Sequence, residues 1–415
     1  RTRTLSLPPA APMDPDLVSL TSVHLFVSLQ PGTGSYTATS TLQYQTIGPV
    51  DTLVFHAKGL KIQGLKATQN KRQLVVASRS EPNDSHEVWL KFADYIDVGK
   101  VAVMVSYAGS ISDTNLYGVY QCTHTKSRDK VFMTHMEPGY AKEAFVCGDD
   151  FSIRPRWTVE LQVPSGMHAL ANMPLQTTKD GGKAGKIFIF HETPPMPAYL
   201  LGFYVCPCEL QVAQQTYHSQ LDGADVPVRI LYHKGSTEAP QILTAALQGL
   251  QLFEDYFATT YGLPKLDVVF TPRMMLGGME NWGLIFLNDS DTKSQGKGKK
   301  ADEKLIDLLM HEIAHQWIGN MVGFPFWVKE GICCFLEQRM GDIVNGRKSK
   351  APPGKASAVQ SDVAQDCKDD AKKASETGNA GLMFSGLTYQ RSQTFIEDHA
   401  NKLGDARFRD WLREI

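Results

Sequence analysis

The chain has 415 residues, enough for two or three domains of ordinary size. Its 42 basic and 44 acidic residues leave a formal net charge of −2, which excludes the basic balance of a nucleic-acid or anionic-membrane binder. Apolar residues make up 42%, as in ordinary globular proteins, and no apolar run approaches the roughly 20 residues of a membrane span.

The start, Arg1 to Pro12, is basic and proline-rich and lacks the apolar core of a secretory signal. The chain does not begin with Met, which leaves its true N-terminus open. Residues 1 to 14 are expected to be a flexible segment. From there to about residue 212 the pattern is mostly strand. Val23 to Leu29, Tyr36 to Tyr44 and Val101 to Tyr107 are rich in β-branched and aromatic residues, with Gly, Pro, Asn and Asp clusters between them. Such spacing predicts an all-β sandwich or saddle over residues 15 to 214. Val226 to Tyr232 opens a mixed regime over residues 215 to 415. A helix is expected from Pro240 to Tyr261, then a buried strand over Leu266 to Phe270 and a glycine-containing segment from Gly277 to Gly283. Helices are expected over Leu305 to Gly319 and Glu330 to Met340, with a Gly/Lys loop at Gln295 to Lys300 before them. Gly341 to Ala380 is polar and reads in part as a loose loop.

The seven cysteines are odd in number and sparse, which favours a reducing compartment over a disulfide framework. Cys206-Pro207-Cys208 has the wrong spacing for a zinc ribbon or a redox pair and reads as a strand end. Cys333 and Cys334 lie on an apolar helix and read as core. Two N-x-S sequons fall at Asn83 and Asn288.

The chemistry concentrates at His311-Glu312-Ile313-Ala314-His315. On a helix, residues four apart share a face, so the two imidazoles can share one Zn²⁺. Glu312 lies between them, where a carboxylate can take a proton from the attacking water. Standing alone, such a pair is more often an ordinary surface or core pair. A catalytic zinc needs a third protein ligand, and Glu330 can reach back from the next helix across a short loop.

The segments around this motif resemble the gluzincin aminopeptidases, the family of aminopeptidase N, puromycin-sensitive aminopeptidase and leukotriene hydrolase. His311 to Asn320 is similar to the family's zinc helix, and Gly277-Gly278-Met279-Glu280-Asn281 to its G-x-M-E-N signature. Trp327 to Gly331 resembles W-L-N-E-G, Glu337 falls where a further family Glu follows, and Leu387-Thr388-Tyr389 resembles the segment of the catalytic tyrosine. Gly404 to Arg409 resembles the stretch after it, and Thr134-His135-Met136-Glu137-Pro138 resembles T-Q-x-E-P in the first domain.

The resemblance implies an α+β multidomain fold, with a thermolysin-like zinc catalytic domain following the β domain. It implies one Zn²⁺ per chain on His311, His315 and Glu330, Glu312 as general base and Tyr389 as oxyanion donor. Glu280 and Glu137 would hold the free α-ammonium of a peptide. Gly277, Gly278, Met279, Asn281 and His135 would contact the substrate. The implied activity is that of a cytoplasmic zinc aminopeptidase acting on peptides with a free N-terminus, with no nucleic-acid partner and no membrane segment. A catalytically impaired, peptide-binding relative and a zinc endopeptidase are the alternatives.

The chain departs from the family in places. The gap from His315 to Glu330 is about four residues shorter than usual, and at the usual spacing the ligand would be Cys334. Lys329 stands for the usual Asn, His135 for Gln, and Tyr140 and Lys142 for the Asp and Arg of D-A-R. Cys147 to Phe151 is a degraded C-x-D-E-P. These changes are expected to touch packing and substrate contacts more than the chemistry. Ile415 falls inside or just past the catalytic domain, so the chain is expected to be either a fragment or a short member.

Overall fold

The computed structural model describes residues 17–30, 32–207, 209–234, 239–289, 299–348 and 386–414. The segment 1–14, Cys208, Cys367 and most of the polar stretch after Gly346 lie outside them. The chain divides into two compact units. The first comprises Arg1–Gln121, Phe132–Ala171 and Leu175–Val205; the second comprises Cys122–Val131, Asn172–Pro174 and Cys206–Ile415.

The first unit is built from strands. Among the described residues its largest sheet has eight strands, with Val18–Gln30 at the centre between Arg156–Val163 and Ser35–Thr46. Ser35–Thr46 alternates strictly, burying Tyr36, Ala38, Ser40, Leu42, Tyr44 and Thr46. That period of two turns one face of the sheet into the core. Val50–His56, Glu87–Ile96 and Val76–Arg79 form a three-stranded sheet, and Lys130–His135 is an inner strand of a four-stranded one. A single helical turn, α1 (Ala141–Ala144), follows.

The second unit packs helices with a five-stranded sheet, in the order Gln211–His218, Asp225–Tyr232, Leu266–Thr271, Leu284–Asn288, Gly278–Met279. The three central strands are parallel and the two outer ones antiparallel. Leu266–Thr271 and Leu284–Asn288 are buried at every position, as parallel strands covered on both faces are. Helix α2 (Ala239–Phe257) buries Ile242, Ala246, Leu250, Phe253 and Phe257, a 3.6-residue stripe. Helix α3 (Lys299–Ala314) does the same with Leu305, Leu309 and Ile313. Helix α4 (Phe326–Val344) packs against α3 and against α5 (Gly386–Leu403), and α6 (Asp405–Glu414) follows.

An all-β unit followed by a mixed one is the α+β organisation expected. Several boundaries differ. Helix α2 stops at Phe257 rather than Tyr261, with Ala258 at φ 51°. Helix α3 ends at Ala314 rather than Gly319, because Gly319 takes φ 102° and its N–H turns back to the Val322 carbonyl at 2.7 Å. Pro325 starts α4 earlier than expected, so Glu330 lies a turn inside the helix, and α4 runs on through Gly341 to Val344. The Asn288 sequon is closed to glycans: that side chain is buried and donates to the carbonyls of Met274 and Leu276.

A buried charge sits in the sheet. Asp267 accepts two bonds from Arg229, both 2.6 Å, and lies 3.0 Å from Lys265 Nζ. Burial opposes its ionisation, but Lys265 and Arg229 outweigh it and hold the carboxyl below its ordinary value. Its stabilising contribution is therefore present above the ordinary carboxylate range and is lost as pH falls through the folded value. Asp267→Asn leaves two cations without their acceptor and is expected to cost about 3 kcal/mol, the low end for breaking a buried pair because Arg229 is partly exposed. Denaturant unfolding at neutral pH checks this; a loss within error would show the pair to be dispensable.

Candidate active site

Helix α3 presents His311, Glu312 and His315 on its last turn and just beyond, and all three are buried. The backbone N–H of His315 still bonds to the His311 carbonyl at 3.2 Å, so helical phase is kept past the end of α3. The two Nε2 atoms lie 3.0 Å apart. Glu330 on α4 brings Oε2 to 3.3 Å from His311 Nε2 and 3.5 Å from His315 Nε2. Donors around a tetrahedral zinc at about 2.0–2.2 Å are separated by about 3.3–3.5 Å. The three side chains fit such an ion. Their far sides agree: Glu337 Oε2 is 3.1 Å from His311 Nδ1, and the Ile318 carbonyl is 3.1 Å from His315 Nδ1. Both are acceptors, so each Nδ1 carries the proton and each Nε2 keeps its lone pair for a metal.

Cys334 faces the other side of the cluster, its Sγ 3.9 Å from His311 Nδ1 rather than near Nε2. His311, Cys334 and Glu337 thus form a second group of donor atoms behind the ring. Cys333 is buried, as expected of core, yet its Sγ is 3.2 Å from His315 Nδ1.

Glu280 is tied to the segment that follows α3. Gln316 Nε2 donates to the Glu280 carbonyl at 3.0 Å and Asn320 Nδ2 donates to it at 2.8 Å. Gln316 Oε1 accepts from Gly283 N–H at 3.0 Å. These two amides of the motif, which sequence reasoning passed over, pin the Gly278–Gly283 segment to the stretch just past α3. The Glu280 carboxylate then meets Lys329 Nζ at 2.5 Å, and the same ammonium lies 3.1 Å from Glu330 Oε1. Burial opposes ionisation of both acids, but Lys329 and His315 hold Glu280 below and Glu330 well below the usual carboxylate range.

Gly278 and Met279 form the short edge strand, and Gly277 contributes its carbonyl to Asn288 N–H at 2.8 Å. A Cβ on Gly278 would lie 2.2 Å from Glu312 Oε1 and 2.6 Å from Cδ. The glycine is thus required by Glu312, a reason beside the substrate contact expected from the sequence. Gly278→Ala is expected to push the Glu312 carboxylate aside by about an ångström and lower turnover about 10²-fold. Zinc content and kcat measured together check this; a fall in zinc instead would place the damage elsewhere. Asn281 is fully buried, and neither side-chain atom has a hydrogen-bond partner among the described residues. Tyr389, near the start of α5, places its ring 6.3 Å from that of His311. Gly331 allows this: a Cβ there would meet the Ser392 carbonyl at 2.7 Å, so α4 and α5 touch through backbone.

Glu137 and His135 belong to the first unit. His135 ends the strand Lys130–His135, its ring 5.0 Å from that of Tyr117, and Glu137 is buried just beyond, before a cis bond to Pro138.

The Peptidase M1 N-terminal domain matches residues 21–200, and the Peptidase family M1 domain matches residues 242–415. The chain belongs to peptidase family M1. Among its relatives, Aminopeptidase M1-A of Oryza sativa subsp. japonica is 28% identical over 322 residues, 74% of this chain and 36% of that protein. Aminopeptidase N of Bos taurus is 24% identical over 413 residues, 91% of this chain and 41% of that protein. Endoplasmic reticulum aminopeptidase 1 of Homo sapiens is 27% identical over 341 residues, 78% of this chain and 35% of that protein. The chain thus spans about two-fifths or less of these relatives' length. Among the described residues no helix is long and apolar enough to cross a membrane, and no disulfide joins the cysteines.

Proposed function

We propose that this M1 chain is a zinc aminopeptidase that hydrolyses the first peptide bond of peptides. The observation that carries the reading is the convergence of His311 Nε2, His315 Nε2 and Glu330 Oε2 on one point, with Glu312 between the two histidines in sequence and the Glu280 carbonyl held by Gln316 just past the end of α3. His311, His315 and Glu330 would hold one zinc, which when bound polarises the scissile carbonyl and acidifies water. Glu312 takes the proton of the attacking water and hands it to the leaving amine. The Tyr389 phenol donates a hydrogen bond to the oxyanion. Glu280 pairs with the α-ammonium and so sets which bond is cut; Glu137 is proposed for the same role from its motif. The Asn281 amide supplies a donor and an acceptor for the peptide backbone, and Met279 contacts the first side chain; His135 is proposed as a substrate contact from its motif.

The chain is loaded with zinc and offered aminoacyl-naphthylamides, a free peptide and its N-acetylated form. An aminopeptidase cleaves the first two and spares the third. Equal cleavage of the acetylated peptide would make it an endopeptidase. Zinc-loaded protein that cleaves no member of the panel would favour the second reading, a peptide-binding relative, for which the Lys329 contact to Glu280 is the supporting observation.

A further inference from the structure

Lys329 is the one buried cation among the described residues that lies against Glu280, the carboxylate assigned above to the substrate's amine. Its side chain is 1% exposed. The Nζ is held from three sides: Glu280 Oε1 at 2.5 Å, Glu330 Oε1 at 3.1 Å and the face of Phe326, whose centroid is 5.4 Å away. That is a complete cage for an ammonium, two carboxylates and an aromatic face. The donor comes from the protein itself, from the position just before Glu330 on α4.

We propose that Lys329 is a specificity-determining residue, an internal ammonium that competes with the substrate's α-ammonium for Glu280. The inference rests on the aminopeptidase reading for the role of Glu280. A peptide's amine has two ways in. It displaces Lys329 from Glu280, which costs a buried cation one of its two carboxylates, or it binds beside a like charge. Either way the advantage of a free terminus shrinks. Peptides are then selected more by the side chain and backbone of the first residues than by their terminal charge. Nothing about the bond-breaking steps changes, because Glu330 offers Lys329 one oxygen and keeps the other toward the histidines.

The test compares two ligands on the zinc-loaded full chain by calorimetry. Leucine hydroxamate and 4-methylpentanoyl hydroxamate have the same chelating group and carbon skeleton, and only the first has an α-amine. The wild type is expected to bind them with similar affinity. In Lys329→Asn and Lys329→Met the amine-bearing ligand should gain at least about tenfold over the other, the scale expected for a buried charge contact. Lys329→Arg, which keeps the cation, should stay near the wild-type ratio. Zinc content is measured in every variant. An unchanged ratio in the Asn and Met variants, with zinc retained, overturns the proposal and leaves Lys329 a structural ion-pair partner. A wild type that already prefers the amine strongly overturns it as well. Failure of the aminopeptidase reading looks different: no form turns over an aminoacyl substrate, whatever the hydroxamate ratio does.

Discussion

Glu330→Gln is expected to lose its zinc, while Cys334→Ser keeps a full equivalent. The contrast follows from which face of His311 each side chain meets. Glu330 Oε2 stands 3.3 Å from Nε2, on the side shared with His315, whereas the Cys334 thiol stands behind the ring, 3.9 Å from Nδ1. Disturbing a partner behind a ligand typically costs about 10–100-fold in metal affinity, and removing a ligand costs more. Glu330→Gln should therefore weaken zinc binding by more than about 10²-fold, and activity at ordinary zinc should vanish with it. Metal analysis after dialysis against a graded chelator reads this directly. Zinc retained by Glu330→Gln and lost by Cys334→Ser would reverse the assignment and make the thiol the third ligand.

Glu312→Gln should be silent for the metal and severe for turnover. The carboxylate lies against Gly278, where a Cβ would come within 2.2 Å of its Oε1, and it is not one of the three groups that converge as ligands. Glutamine keeps that shape but cannot take a proton. General acid–base groups contribute about 10²–10⁴ in rate, so kcat should fall by that factor with KM little changed. Full zinc content with near-normal kcat would remove Glu312 from the proton path. Its comparison with Gly278→Ala is informative: the alanine displaces the carboxylate, the glutamine leaves it in place but inert, and both should lower kcat without losing metal.

Much of this was legible in the chain. Ser35–Thr46 and Leu266–Thr271 announce themselves because burial follows side-chain period, alternating in the first and continuous in the second. His311, Glu312, His315, Glu280 and Tyr389 were readable from motif, and the structure brings them into one unit. What was missed depends on direction rather than residue type. Gln316 and Asn320 lie inside the motif, but nothing linear says that their amides reach the Glu280 carbonyl. The one available signal was their spacing, one and five residues after His315, on a segment that bends back at Gly319. Pro325 could have marked the start of α4, since proline pre-sets the backbone for a helix beginning there. Lys329 read as a change in packing; only the fold shows its ammonium on the acid that a substrate would use.

The shortened gap before Glu330 has a geometric meaning. Four residues are close to the 3.6 of one helical turn, so residues 330 and 334 lie on the same stripe of α4, one turn or about 6 Å apart. Losing a turn's worth of chain therefore preserves phase: the same stripe still meets α3, and only the level of contact along it is in question. At this level α4 also meets α5 through backbone, since a Cβ on Gly331 would come within 2.7 Å of the Ser392 carbonyl. His311 thereby meets a carboxylate at Nε2, and at Nδ1 a thiol from the next turn and a second carboxylate from the turn after that. Spacing along the chain counts residues; a helix counts turns, and ligand identity follows the second count.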